Sequence, residues 1–442
     1  MKKVICLVEV GIFLLLSSCS LGEKEPSYAR RPLIIWHWMT DRQEAFEELA
    51  RRYKEERGVE VRFELYAPSN AYRQKVMAAA QTNTLPDIYG ILGEKRFFAS
   101  FIKSGYVADL TQEMEANNGE WKNRFFTRAL KVNEFEENNE FGITPGIYGV
   151  PLDVMNIQLV YNKKIFRKAG LDPDNPPHTW KEFISAMKKI RKKTGVAGLV
   201  SGWGEVWMLD CFASNYAFNI MGEEKVMDTI RGKVSYTDPD WIEVLSLFEE
   251  MSEKKVLAEG IVTMVNKSAE QMFANERAAF AFNGSWCVNV YRGMNPGLEY
   301  GVIPPPRVSF KHPMFIWGGA GSSFMVNTRS PYRKEAIEFL KWLTDKEQQV
   351  FLCKKTNNLP SNRQSLTEIP SVLREFSDDM DNTTHPNLWP VSEYPLVTET
   401  LDKGIQSIII GEKTPLEVAR EVQRVKEREM RKAKLKRGSR GG

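Results

Sequence analysis

The chain has 442 residues, 42% of them hydrophobic and 27% charged, with a formal net charge of +4. That balance excludes a disordered chain and a polytopic membrane protein, and the length exceeds the roughly 250–300 residues that one hydrophobic core serves, so two or three domains are expected. The five cysteines and four histidines show no C-x-x-C and no metal-ligand spacing, which argues against a zinc site or a dithiol redox centre.

In chain order, Lys2 and Lys3 precede an apolar stretch over 4–16, too short to span a bilayer but sized for a signal-peptide core, although Glu9 interrupts it. Leu16-Ser17-Ser18-Cys19 resembles a bacterial lipobox. That resemblance implies removal of the signal peptide 1–18, acylation of Cys19, and a flexible lipid-anchored leash over 19–31. An ordinary secretory cleavage beside a chance cysteine is the alternative. Cys211, Cys287 and Cys353 then remain in the body, enough for at most one disulfide.

Residues 33–38 read as a buried strand, and Thr40/Gln43 or Asp41/Glu44 supplies a capping box for a helix whose Phe46, Leu49 and Tyr53 share one face. Gly58 ends that helix before the alternating strand 59–65; a helix over 72–81 and a strand over 87–92 follow. Strand-helix-strand-helix-strand order implies a parallel sheet covered by helices. Further on, Thr179 and Glu182 form a second capping box, and Asp238-Pro239, Ser330-Pro331 and Thr414-Pro415 each place an N-cap residue before a proline. Strands are expected at 157–161, 278–283, 300–303 and 323–327, so the fold class is α/β.

The order and spacing of several segments resemble the extracellular solute-binding proteins of sugar-type ABC importers, the maltose-binding-protein-like group. They include Leu85-Pro86-Asp87-Ile88, Gly149-Val150-Pro151-Leu152-Asp153, Tyr161-Asn162-Lys163-Lys164, Thr179-Trp180-Lys181-Glu182-Phe183, Ala281-Phe282-Asn283-Gly284-Ser285-Trp286 and Trp317-Gly318-Gly319. The resemblance covers most of the chain. It implies a two-lobed periplasmic-binding-protein-like fold with discontinuous lobes, a hinge and an inter-lobe ligand cleft. Carried onto this chain, the N-terminal lobe is 28–152 plus 304–362 and the C-terminal lobe 153–303 plus 363–437, with a tail at 438–442. Pro304-Pro305-Pro306 suits a stiff crossing segment. The implied function is extracytoplasmic capture of a sugar and its delivery to ABC permease subunits, by a monomer tethered to a bacterial membrane, with neither catalysis nor cofactor nor resident metal.

A sugar presents hydroxyls at its edge and C–H groups on its faces, so a binder needs aromatic platforms and Asp, Glu or Asn partners. Trp38 ends the first strand, at the carboxyl end where ligands of open α/β sheets bind, with a core tryptophan as the alternative; Asp41 and His37 are weaker candidates. Asp87, at a strand start, reads as structural. Trp203, Glu205 and Trp207 concentrate two indoles and a carboxylate; on one helix the tryptophans would share a face, whether core or cleft. The resemblance adds Glu94 as an acidic contact, Asp153 and Asn156 at the crossing into the cleft, Trp286 as a stacking residue, and Trp389 and Tyr394 as aromatic contacts. Gly318-Gly319 would let the backbone approach ligand or hinge closely.

A secreted glycan-active hydrolase or lyase is the rival reading, but the sequence offers no nucleophile elbow, zinc signature or phosphate-cradling loop. A surface sensor or adhesin on the same fold is another. The charge is uneven: residues 420–442 hold ten Lys and Arg against Glu421, Glu427 and Glu429, which leaves the body mildly acidic and gives no support to a nucleic-acid groove. The basic tail is a solvated helix end or a contact with a lipid surface.

Overall fold

A computed structural model describes residues 31–389 and 391–438. The expected signal segment, Cys19, all of the leash but Arg31, and residues 439–442 lie outside the described residues. Arg31 does not act as leash: its guanidinium donates to the two oxygens of Asp87 at 2.6 and 2.8 Å. Asp87 also accepts from the Ile34 amide and the Ser330 hydroxyl, which makes it the structural residue expected at that strand start.

Eleven strands are present among the described residues: β1 (Leu33–His37), β2 (Val61–Leu65), β3 (Ile88–Gly90), β4 (Glu134–Phe135), β5 (Gly146–Ile147), β6 (Val150–Asn162), β7 (Ala197–Val200), β8 (Ala278–Gly284), β9 (Tyr300–Ile303), β10 (Trp317–Val326) and β11 (Leu359–Pro360). All but β4 and β5 join one sheet, whose main path runs β2-β1-β3-β10-β6-β8-β7, with β9 and β11 also paired to β6. β1 pairs in parallel with β2 and β3, as the alternating pattern of the first elements requires; β10 runs antiparallel to both β3 and β6.

Three hydrophobic cores form among the described residues, and β6 and β10 join the two larger ones; the third, around Tyr72, Tyr89 and Phe98, packs beside β3. Val150 and Leu152 of β6 pack with Leu33, Phe46 and Ile88, while Val154, Ile157 and Leu159 pack in the larger core around Phe183, Phe212 and Phe280. β10 makes the return crossing: Ala320 belongs to the larger core, Phe324 and Val326 to the smaller of these two. This corrects the expected boundary at Pro304, because Met314 and Phe315 also lie in the larger core. Where the chain crosses, the β6–β10 register slips between Ala320 and Ser323 opposite Asp153, a bulge that leaves Gly321 without a pairing partner.

Helix ends follow local chemistry where a cap side chain is free to form it. Thr179 and Glu182 make the reciprocal box, Asp238 caps the helix Pro239–Glu253, and Thr414 with Glu417 opens the helix Pro415–Gly438. Two expected starts differ. Thr40–Arg42 form a single tight turn and the helix Gln43–Arg57 begins without a side-chain cap. Ser330 donates its hydroxyl to Asp87 and accepts the Tyr332 amide at 3.0 Å, and the next helix begins only at Arg333. Cys211, Cys287 and Cys353 are all free and buried. Among the described residues no helix is long and apolar enough to cross a membrane and no group of three or more potential metal-ligating side chains assembles.

Candidate functional site

The strongest site is built at the end of β8. All seven residues of that strand are buried, and the chain then turns so that the Trp286 indole folds back over Gly284. A Cβ on Gly284 would sit 1.9 Å from the ring, so only glycine admits this packing. The Trp286 N–H donates to Glu270 Oε1 at 3.3 Å, and the same oxygen accepts from the side-chain amides of Asn266 and Asn283 at 3.0 and 3.2 Å. Burial raises the Glu270 carboxyl above its ordinary range against these three donors.

Trp207 lies beside it, with ring centroids 6.0 Å apart and planes at 44°. Its N–H donates to Glu205 Oε2 at 3.2 Å, while Glu205 Oε1 accepts from the Asn266 amide at 2.8 Å. Trp207 is 41% exposed and Trp286 half-buried, so two indoles offer apolar surface while two carboxylates hold their polar edges. A flat ligand with C–H faces and peripheral hydroxyls fits such a surface: it stacks on the rings and hydrogen-bonds around them.

The other lobe carries three further expected residues, Asp41, Trp38 and Glu94. Asp41 is exposed and accepts from Asn358 at 3.0 Å; the neighbouring Asn357 donates to Asn289 of the helix Cys287–Met294, which starts immediately after Trp286. Asp41 and the indole patch therefore flank one short segment. Trp38, half-buried, lies over Gly90 and packs 5.1 Å from Tyr72; it faces a cavity of about 160 Å³ shared with Asn133, Ser322 and His385. Glu94 stands exposed at the start of the helix Lys95–Lys103 and lines a larger cavity of about 460 Å³ together with Val206, Trp317 and Trp389.

Other expected contacts are placed elsewhere. Trp203 precedes the helix Val206–Ile230 rather than sharing it with Trp207, and it is wholly buried between Phe212 and Phe248, so it is a core residue in this conformation. Asn156 is also fully buried, its amide given to the Phe376 carbonyl at 2.5 Å. Asp153 is 4% exposed and has no free oxygen: Oδ2 lies 2.5 Å from the Arg42 guanidinium, and Oδ1 accepts from the Ser322 amide and hydroxyl at 2.6 and 2.7 Å. Gly319 pairs with Met155 across the sheet and packs on His385 and Val132. Trp389 stacks on Phe218 at 5.4 Å and lines the larger cavity; Tyr394 precedes the helix Pro395–Ile409, under the Lys426 ammonium. His37 is buried against Phe46 and Phe63.

Glu270, Asn266 and Arg42 take part without having been expected. Glu270 and Asn266 sit on the short helix Asn266–Ala274, whose sequence carries no motif, and only the fold brings them under the two indoles.

Residues 37–350 match the family described as bacterial extracellular solute-binding protein. The chain belongs to this family. Among relatives of this solute-binding protein, the melibiose/raffinose/stachyose-binding protein MelE of Bacillus subtilis is 23% identical over 361 residues, 78% of this chain and 77% of that one. In fold it resembles a chitin oligosaccharide binding protein (TM-score 0.69, 22% identity, 90% of this chain and 100% of the other). It also resembles maltose-bound MalE3 of T. maritima (TM-score 0.69, 18% identity, 90% and 99%).

Proposed function

We propose that this protein is the extracytoplasmic carbohydrate-binding subunit of an ABC importer. The observation that carries the reading is the Trp207–Trp286 pair with Glu205 and Glu270 on its N–H edges, in a family that includes relatives named for sugars. Mono- or oligosaccharide ligand lies against the two indoles and closes the cleft toward Asp41, Trp38 and Glu94. β6 and β10, the two strands common to the two larger cores, serve as the hinge. A ligand that touches both lobes favours the closed form, and membrane permease subunits read that form. Capture and release suffice, without catalysis. The protein acts as a monomer held to a bacterial membrane through acyl chains on Cys19.

Thermal unfolding against a panel of saccharides tests this. A ligand at 100 times its dissociation constant adds about 2.7 kcal/mol of stability by mass action. At least one saccharide is expected to raise the melting temperature, and Trp286→Ala to abolish the rise. A panel without effect, alongside a response to phosphate or a metal ion, would overturn the assignment.

A further inference from the structure

The larger cavity contains a feature that a neutral sugar does not explain. Asp210, on the helix Val206–Ile230, and Asp402, on the helix Pro395–Ile409, line it together. Asp402 is 3% exposed and its Oδ1 has no hydrogen-bond partner, and among the described residues no ion pair reaches either carboxylate. Other acids of the same cavity are matched: Glu393 is bound by Lys426 at 2.6 Å and Glu399 by Lys403 at 2.5 Å. No Lys or Arg lines the cavity among the described residues, and Glu94, which also lines it, adds to the negative potential.

Much of the rest of the wall is aliphatic, Val226, Met227 and Leu401 among it, and Trp241, Trp317, Trp389 and Tyr236 line the same space. Two unmatched carboxyls in an apolar, aromatic chamber disfavour their own ionisation, and burial together with the charge of Asp210 pushes Asp402 upward. A cation reverses that cost. An ammonium group offers three donors to carboxylates and is attracted to the faces of indole rings, whereas a hydroxyl supplies one donor and no charge. The cavity, at about 460 Å³, has the size of a site for a small organic ligand rather than for a bare ion.

We propose that this chamber receives a charged amine of the ligand, so that the solute is an amino-bearing saccharide whose ammonium group sits between Asp210 and Asp402. The inference rests on the saccharide reading for the rest of the ligand, and on the chamber alone for the amine. Trp207 and Trp286 hold the sugar ring; the acid pair selects its charge.

The test is isothermal titration of the full-length protein, at mildly acidic pH where sugar amines are charged. The probes are an oligomer of glucosamine, the matched N-acetylated oligomer, a neutral glucose oligomer and a simple alkylamine without sugar. The glucosamine oligomer is expected to bind at least 10-fold more tightly than its N-acetylated counterpart. Asp402→Asn and Asp210→Asn should each reduce that preference to about 2-fold or less while the circular dichroism spectrum and melting temperature stay at or above wild type. Equal affinity for charged and acetylated oligomers, both weakened by Trp286→Ala, would overturn the amine site and leave the saccharide reading standing. Binding of the alkylamine alone, lost in Asp402→Asn, would support the acid pair and overturn the saccharide reading. No binding by any probe would overturn both.

Discussion

Asp153→Asn separates a structural carboxylate from a ligand-binding one. At the point where the chain crosses between the cores, Asp153 Oδ2 takes the Arg42 guanidinium at 2.5 Å and Oδ1 takes both donors of Ser322. Arg42 is itself buried and gives a second N–H to the Ser322 hydroxyl at 2.9 Å, so the three side chains form one closed network across β1's following turn, β6 and β10. The substitution keeps shape but removes the charge and aims an amide group at the guanidinium. Arg42 then keeps only the more distant and exposed Asp41, 3.5 Å from its Nε, so the loss of its buried partner costs about 3 kcal/mol, the low end for a broken buried pair and a large share of the stability of an ordinary domain. The adjacent Gly321 has no side chain to compensate, since a Cβ there would lie 2.9 Å from Asp153 Oδ1. Guanidinium titration followed by tryptophan fluorescence should show the loss as a lowered midpoint. Arg42→Met combined with Asp153→Asn should cost less than the sum of the single changes by about 1–3 kcal/mol, because each residue's penalty is mostly the other left unpaired. A wild-type midpoint for Asp153→Asn, with saccharide affinity reduced 10-fold or more, would refute this reasoning and return the carboxylate to the ligand.

Three further outcomes are expected. Trp203→Ala should destabilise by about 3–5 kcal/mol, as a large buried aromatic does, whereas Trp207→Ala should change stability by less than about 0.5 kcal/mol yet weaken saccharide binding; paired denaturation and titration curves check both. Gly284→Ala should displace the Trp286 indole, costing about 1–3 kcal/mol by overpacking and lowering affinity, and a wild-type affinity would count against the stacking role. His37 is held neutral, with its pKa lowered to about 4 chiefly by burial: Nδ1 accepts the Met39 amide and Nε2 meets Gln43 Oε1 at 2.8 Å. Below its ordinary value of 6.5 the unfolded chain binds a proton that the native state refuses, so the native state is stabilised above pH 6.5 and loses this contribution as pH falls toward 4. The loss amounts to about 3 kcal/mol in all, and the denaturation midpoint of His37→Gln should lack that component of the pH slope; identical slopes would contradict it.

The parallel β1–β3 unit was legible because alternation, Gly58 and the helical face of Phe46, Leu49 and Tyr53 act over a few residues. The Trp286 indole was expected only through the family resemblance of the segment Asn283-Gly284-Ser285-Trp286, since no local pattern by itself marks it as a platform. Asp153 and Asn156 read ambiguously for a common reason. β6 is buried along almost all of its length, so period-two alternation cannot say which side chains face ligand and which face core. Trp203 sits between Gly202 and Gly204, whose backbones press against the loop at 263–266, and that contact, not helical spacing, turns its ring inward. Arg42 with Asp153, Glu270 with Trp286, and Asp210 with Asp402 are pairings between distant segments, and no local pattern encodes them.

A crystal structure with a saccharide bound is the direct measurement. The sugar should lie with one C–H face against Trp207 and Trp286, its hydroxyls within about 3 Å of Glu205, Glu270 or Asp41, and the two lobes closed about β6 and β10. Ligand density away from both indoles, or a saccharide that leaves the lobes where they stand, would contradict capture by closure.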